Sequence, residues 1–526
     1  MQRLLAVLGL LPALVFAVPA QAGGCGDLAG SHTGSVVVTA TEIVPGKTGW
    51  TPAGDAGGAY RPLPVKVSLC RIQGRIEGNI GFELWLPLAQ AWNGRLLGAG
   101  VGGDAGIFNY GDMSRRIGEG FATVTTDSGH KASMAHWMMD AKAREDYEHR
   151  AVHLTAVAAK ALVKRFYGKP AGRSYFSGCS GGGRQALKEM QGYPADYDGV
   201  IAGAPGPYMP LISVRMMWFS LAQKRDPAGA LGDEDWALYE AASNKACDAQ
   251  DGLRDGVVEN PLACRFDPAA LLCRPGTKGP CLSAPRLAML QRIIAPMPDE
   301  RGRAMDKGLL PGVRTRPGPP SPLLRAMWGD AVYRNPDWNE DSFQRSRDLA
   351  LVDKAMPQLR ADSTRVAPFL ARGGKAIIYQ GWQDPSVIAG PTVDYYSALA
   401  RANGGHAKLA DSVRLFMVPG MHHCMRGPGA DQFGGSGQAT APGDPARDML
   451  WSLIDWVEKG RAPARIEAAR VADDKLTFTR PLCAFPRRAR YDGKGDPKSA
   501  ASFVCVTEPD YLAQLRPTVT RPIRRR

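Results

Sequence analysis

The sequence predicts an α/β fold, a largely parallel sheet with a large inserted lid and many disulfides. Three observations carry this. Short apolar or β-branched runs alternate with helical segments up to about residue 204 and again beyond 368, the pattern of strands joined by helices over a sheet. The stretch between, 205–367, is rich in Cys, Pro, Met and Trp and holds few strand-like runs. All ten cysteines lie beyond the first 22 residues, and an even count in an exported chain reads as a set of disulfides.

The chain has 526 residues with 44% hydrophobic and 22% charged residues, an ordinary globular balance that excludes bulk disorder, collagen-like repeats and coiled coil. Residues 1–22 read as a signal peptide: Arg3 precedes the apolar run Leu4 to Val18, and Ala20 and Ala22 give the small-x-small cleavage pattern. The run is short for a membrane span and contains Pro12. The mature protein is therefore expected to be secreted or periplasmic and free of the membrane. The formal net charge is +14, but several of these charges sit in the tail Arg516 to Arg526, expected to be a disordered, solvated segment. No helix interleaves basic and aromatic residues, so no nucleic-acid partner is expected. Nothing in the sequence sets the oligomeric state.

The first part of the sheet domain is placed at 23–204. Expected strands run from Glu83 to Leu88, Gly94 to Gly98, Gly120 to Thr126, Ser174 to Ser177 and Val200 to Ala202, with helices from Glu148 to Phe166 and Arg184 to Met190. The lid domain follows at 205–367. The second part of the sheet domain, 368–515, supplies the buried-type strands Lys375 to Tyr379 and Val413 to Val418.

Chemistry concentrates at Gly178-Cys-Ser180-Gly181-Gly182, a G-x-S-x-G pattern between a strand and a helix. Such a turn is too tight for side chains at its flanks and pushes the serine out at the sheet edge. The Gly181 N–H, with the helix N-terminus behind it, then faces any oxyanion formed on a substrate. A serine nucleophile needs a base and an orienting acid, here in the order Ser, acid, His. After Ser180 the histidines are His406, His422 and His423. His422 and His423 follow the strand ending at Val418, and Asp384 stands just past the strand ending at Tyr379. Cys179 precedes Ser180 and Cys424 follows His423; if those cysteines are bridged, their Cα atoms lie roughly 5.5 Å apart and His423 is the base. Reading His-His-Cys as a metal cluster would need further ligands, and none is evident. A second oxyanion donor is expected from Gly98-Ala-Gly-Val-Gly102-Gly103, with Gly103 preferred over Gly102.

Within the lid, Cys247-Asp248-Ala-Gln-Asp251-Gly-Leu253-Arg-Asp255-Gly-Val257 clusters three carboxylates on a loop turned by two glycines. Asp248, Asp251 and Asp255, with the carbonyls of Leu253 and Val257, form a candidate set for a structural Ca²⁺, though not at EF-hand spacing. Proximity favours two disulfides, Cys247 with Cys264 and Cys273 with Cys281.

Taken together, Gly178-Cys-Ser-Gly-Gly182, Pro419-Gly-Met-His-His-Cys424, the Cys247 to Gly256 loop, Trp92-Asn-Gly-Arg95 and Thr126-Asp-Ser-Gly-His130 resemble the tannase and feruloyl esterase family of α/β-hydrolases, which includes mono(2-hydroxyethyl) terephthalate hydrolase. The resemblance implies an α/β-hydrolase sheet, a triad of Ser180, Asp384 and His423, oxyanion donors Gly103 and Gly181, and calcium in the lid. It also implies disulfides 25–70, 179–424, 247–264, 273–281 and 483–505. The implied activity is hydrolysis of small-molecule esters of aromatic, phenolic acids through an acyl-enzyme. Trp218, Phe219, Trp328 and Trp382 are candidate partners for the aromatic ring. Two departures bear on substrate: Gln380-Gly381 stands where relatives carry His-Gly, and the lid lacks an Arg-x-x-x-Phe-Ser segment for a terephthalate carboxylate. Alternative readings are a terephthalate monoester hydrolase, a peptidase or amidase with the same triad, and a non-catalytic calcium-stabilised binding protein.

Overall fold

The computed structural model describes residues 23–54, 60–315 and 318–507; the expected signal peptide (1–22) and basic tail (516–526) lie outside the described residues. The main sheet contains β1 (Gly30–His32), β2 (Val36–Ile43), β3 (Leu69–Ile76), β4 (Ile80–Pro87), β5 (Arg95–Ala99), β6 (Ala122–Thr126), β7 (Arg173–Cys179), β8 (Gly199–Gly203), β9 (Lys375–Gly381) and β10 (Val413–Val418). Their order is β1-β2-β3-β4-β6-β5-β7-β8-β9-β10. From β6 through β5, β7, β8 and β9 to β10 every pairing is parallel. From β1 to β4, and between β4 and β6, it is antiparallel. The parallel half carries the serine and histidine motifs, and the antiparallel half extends one edge.

β1 to β3 were not expected from sequence. β3 reads poorly as a strand because Gly74 interrupts it and Arg71 and Arg75 flank the glycine. Across the sheet, a Cβ on Gly74 would stand 2.2 Å from the Phe82 ring. The neighbouring strand's aromatic side chain fills the space, a reason that no local pattern displays. The hairpin of β11 (Arg465–Ala472) and β12 (Lys475–Cys483) was also unforeseen. Its connection is Asp473-Asp474, both left-handed with φ of 48° and 57°. The pair does the work of an Asn-Gly turn without its signature. A last hairpin pairs β13 (Arg488–Tyr491) with β14 (Phe503–Val506).

The parallel strands are buried on both faces, so successive residues alternate between two cores. Ala376 and Ile378 of β9 join Val200, Ala202, Val413 and Leu415 on one side, with Ala186, Leu187 and Met190 of the helix Gly181–Gly192. Ile377 and Tyr379 join Ile201, Phe416 and Val418 on the other, under the helix Met449–Lys459.

Between β8 and β9 no described residue joins this sheet. Helices Met209–Arg225, Asp233–Cys247, Ala284–Ile294 and Arg345–Ala355 instead close a further core around Met217, Trp236, Met327, Trp328 and Leu359. Val101, Ala105, Trp137 and Tyr147 enter the same core. This seats the inserted segment against the loop that leaves the C-terminal end of β5. Disulfides join 25–70, 179–424, 247–264, 273–281 and 483–505, the pairs that the family resemblance implied. No helix among the described residues is long and apolar enough to cross a membrane.

Candidate active site

Ser180 sits between β7 and the helix Gly181–Gly192 with φ 62° and ψ −125°, a conformation that costs a non-glycine residue energy and must be held by its surroundings. The holding is steric and specific. A Cβ on Gly178 would lie 2.6 Å from the Gly182 carbonyl carbon, and one on Gly183 would lie 2.1 Å from Gly203 O. Gly183, outside the five-residue motif, is thus the most constrained of the cluster, because the helix starts against the end of β8. The Ser180 N–H donates to Gly203 O at 2.9 Å.

His423 and Asp384 arrive from loops that follow β10 and β9, at the same sheet end. The Ser180 hydroxyl donates to His423 Nε2 at 2.9 Å, and His423 Nδ1 donates to Asp384 Oδ2 at 2.7 Å. The other oxygen of Asp384 accepts the Ser386 and Val387 N–H groups, each at 2.9 Å. Burial pulls the His423 pKa down, but the charge and hydrogen bond of Asp384 outweigh it and leave it above the ordinary histidine value. The neighbouring His422 takes a different course: its Nε2 pairs with Glu240 at 3.1 Å. Glu240 lies on the helix Asp233–Cys247, so His422 ties the inserted segment to the histidine loop. The disulfide Cys179–Cys424, with Cα atoms 6.0 Å apart, joins the two loops beside Ser180 and His423, as the choice between the histidines required.

The glycine loop after β5 is pinned residue by residue. Asn109 Nδ2 donates to Gly100 O at 2.7 Å, Val101 N–H to Gln185 Oε1 at 3.0 Å, and Tyr147 OH to Gly103 O at 2.9 Å. Gly102 N–H donates to Tyr60 Oη at 2.6 Å, which removes Gly102 as an anion donor. Gly103 N–H has no partner among the described residues, and a Cβ on Gly181 would lie 3.2 Å from Gly103 N. The first N–H groups of a helix lack intrahelical partners, so the Gly103 and Gly181 amides stand close together and open. Sequence reasoning missed Tyr60, because its contact with Gly102 is tertiary. Burial pushes its phenol up to about 12, so it stays protonated at neutral pH.

A cavity of about 710 Å³ opens onto Ser180 and His423. Met216, Phe219, Ile293, Leu309 and Leu324 give it an apolar wall, and Arg314 and Arg426 also line it. Of the four aromatic residues expected to meet a ring, only Phe219 lines this cavity. Trp218 and Trp328 are core residues of the inserted segment. Trp328 is fully buried with its ring edge-on to Phe343. Trp382 lines a separate cavity of about 660 Å³ behind Asp384. Trp218 and Phe219 are neighbours on one helix, about 100° apart around its axis, and Trp218 turns into the core of the inserted segment instead.

The acidic loop lies where the helix Asp233–Cys247 ends. Asp248 Oδ1 accepts from Asp255 and Gly256 N–H, Asp251 Oδ1 from Leu253 N–H, and Asp255 Oδ1 from Val257 N–H. Asp255 also pairs with Arg480 at 2.5 Å. Among the described residues no three His, Cys, Asp or Glu side chains form a ready cation site. Burial, then Asp255 and Asp248, push the Asp251 carboxyl up to about 6. Burial and Asp251 push Glu259, a neighbour the sequence reading did not include, up to about 8. The loop lies against the histidine loop: a Cβ on Gly420 would lie 3.3 Å from the Val257 side chain.

A serine on a strand–helix elbow, followed in the chain by a carboxylate and a histidine over the ends of a parallel sheet, defines a hydrolase of α/β-hydrolase type. The family model described as "Tannase and feruloyl esterase" matches residues 65–314 and 330–506. The chain is 32% identical to an uncharacterized esterase of Xanthomonas campestris pv. campestris, over 96% of this chain and 95% of that protein. It is 30% identical to a probable feruloyl esterase B-2 of Aspergillus fumigatus, over 90% and 93%. A crystal structure of an esterase from Aspergillus oryzae superposes with a TM-score of 0.84 at 30% identity, covering 92% of this chain and 99% of that one. The protein belongs to the tannase and feruloyl esterase family, and it is a carboxylic ester hydrolase.

Proposed function

We propose that the protein is an exported serine esterase that cleaves small-molecule esters of aromatic, phenolic acids, with Ser180, His423 and Asp384 as its triad. The observation that carries this is the continuous hydrogen-bonded line from Ser180 Oγ through the His423 ring to Asp384 Oδ2. His423 Nε2 takes the Ser180 proton as Oγ attacks the ester carbonyl. The Gly103 and Gly181 N–H groups hold the resulting oxyanion, and Asp384 stabilises the imidazolium. Collapse breaks the bond to the alcohol oxygen, which leaves with the proton from His423. Water, deprotonated by His423, then attacks the acyl-enzyme and releases the acid. The apolar wall with Phe219 suits an aromatic acyl group, and the name of the Aspergillus fumigatus relative supports a feruloyl-type ester. Five disulfides support export to an oxidising compartment, secreted or periplasmic.

The loop of Asp248, Asp251 and Asp255, with the Leu253 and Val257 carbonyls, is proposed to hold a structural Ca²⁺. The raised carboxyls of Asp251 and Glu259 fit a site whose negative charge a hard cation relieves. The ion's contribution would be to keep the loop folded beside Gly420.

The test is a rate panel on the purified protein with calcium, comparing methyl ferulate, methyl gallate, chlorogenate, mono(2-hydroxyethyl) terephthalate and a short p-nitrophenyl ester. A strong preference for one phenolic ester is expected, and Ser180→Ala is expected to abolish it. Turnover by the p-nitrophenyl ester alone would defeat the substrate assignment, and activity retained by Ser180→Ala would defeat the triad.

A further inference from the structure

We propose that Gln380 is a positioning residue that locks the Asp384 carboxylate in the orientation His423 needs. The proposal rests on the triad reading above. Gln380 is the penultimate residue of β9, and its side chain is fully buried. Its Nε2 reaches Asp384 Oδ2 at 3.3 Å, the same oxygen that accepts the His423 Nδ1–H. Nε2 also faces the carbonyls of Val387 at 3.0 Å and Gly381 at 3.1 Å. The Thr392 hydroxyl, from the helix Ala389–Ala402, donates to Gln380 Oε1 at 2.9 Å.

These contacts determine which way the amide points. Two carbonyls and a carboxylate oxygen surround one of its ends, and only the NH₂ group can donate to them. Thr392 meets the other end, so the amide has partners on both sides and no room to turn over. The consequence falls on Asp384, which is almost fully buried. Oδ1 is held by the Ser386 and Val387 N–H groups. Without Gln380, Oδ2 would depend on His423 alone. The imidazole would then lose its fixed partner whenever the hydrogen bond to Asp384 lengthened. A buried acceptor left short of donors is costly, and an orienting partner one step from the chemistry affects rate through geometry.

The neutrality of the amide also matters. Gln380 adds a donor to Asp384 without adding a charge or a titration. The other ionisable groups nearby are engaged elsewhere or lie behind the carboxylate. His422 is paired with Glu240. The cavity behind Asp384 holds Asp306 paired with Arg215, Lys307 paired with Asp394, and also Asp362, Arg401, Tyr208 and Tyr395. The acid limb of the rate profile is therefore expected to follow His423.

Three variants test this, with active sites counted by a serine-reactive phosphonate so that misfolded protein is excluded. Gln380→Leu is expected to lower kcat per active site by about ten- to a hundredfold with KM little changed, the range for removing an outer orienting partner. Gln380→Glu places a second carboxyl against Asp384. Its ionisation favours the imidazolium, so the acid limb is expected to move to higher pH and to broaden. Thr392→Val frees the amide and is expected to give a smaller kcat loss in the same direction, which also serves if Gln380→Leu does not fold. Wild-type kcat per active site in Gln380→Leu or Thr392→Val, or an unmoved acid limb in Gln380→Glu, would overturn the proposal. A Ser180→Ala control separates the two layers: its inactivity keeps the triad whatever the Gln380 variants show, and its activity sinks the triad itself.

Discussion

Cys179 and Cys424 are bonded to each other, with Cα atoms 6.0 Å apart across a separation of 245 residues, and each is the chain neighbour of a residue in the reacting line. Ser180 follows the first and His423 precedes the second. A covalent link between the elbow and the histidine loop limits how far the base can drift from the nucleophile. The link reinforces the 2.9 Å hydrogen bond between Ser180 and His423, in a loop that Gly420 and Gly427 bend through left-handed turns.

Replacing both cysteines, Cys179→Ala with Cys424→Ala, is therefore expected to cost stability and rate together. Closing so long a loop is worth about 5.5 kcal/mol in the chain-entropy account. Thermal unfolding is expected at a clearly lower temperature. The kcat of the folded fraction, counted by phosphonate labelling, is expected to fall as well. Loss of stability with unchanged kcat per active site would limit the bridge to a structural role.

The pH dependence follows from His423. The base acts in its neutral form, and Asp384 raises its pKa above the ordinary histidine value. The rate is thus expected to rise with pH through a midpoint above about 6.5. Asp384→Asn removes the charge that holds the value up, so the midpoint is expected to move down, and kcat is expected to fall by about 10⁴. For stability the sign is opposite. The His423⁺–Asp384 pair stabilises the fold fully below about 6.5 and loses that contribution as pH rises through the folded pKa. Rate–pH profiles of the two proteins measure the first effect, and melting temperatures across the same range measure the second.

Tyr60 accepts the Gly102 N–H at 2.6 Å and so sets the peptide that precedes the Gly103 donor. Tyr60→Phe keeps the ring and leaves that N–H without its acceptor. The expected result is a kcat loss of roughly tenfold with KM nearly constant, below the 10²–10³ typical of deleting an oxyanion donor outright. Steady-state kinetics on one ester decide it.

Calcium dependence is expected to grow with pH. In the metal-free protein the folded state binds extra protons at Asp251, raised to about 6, and at Glu259, raised to about 8. Stability of that form therefore declines as pH climbs from about 4 towards 8. A bound cation replaces those protons. Melting curves with calcium and with a chelator are expected to differ little at pH 5 and widely at pH 8. Equal melting temperatures at both values would remove the ion from the loop.

What the sequence determined alone is whatever depends on neighbours in the chain. The nearly unbroken apolar runs in Lys375–Tyr379 and Val413–Val418 announce strands buried on both faces, because successive side chains of a strand point to opposite faces and both must then be apolar. The glycines around Ser180 announce an elbow, because the turn itself excludes side chains. The cysteines beside Ser180 and His423 choose between two adjacent histidines once they are bridged. Tertiary structure decided what depends on direction and on distant partners. Trp218 and Phe219 are equally plausible ring partners in the sequence, yet only Phe219 reaches the cavity, because Trp218 packs into the core of the inserted segment. Gly74 reads as a strand breaker until Phe82 is seen to cover it. Tyr60 and Gln380 carry no motif that names a role; Tyr60 reaches Gly102 from 42 residues away, and Gln380 meets Asp384 and Thr392 only because the chain folds back over the end of β9.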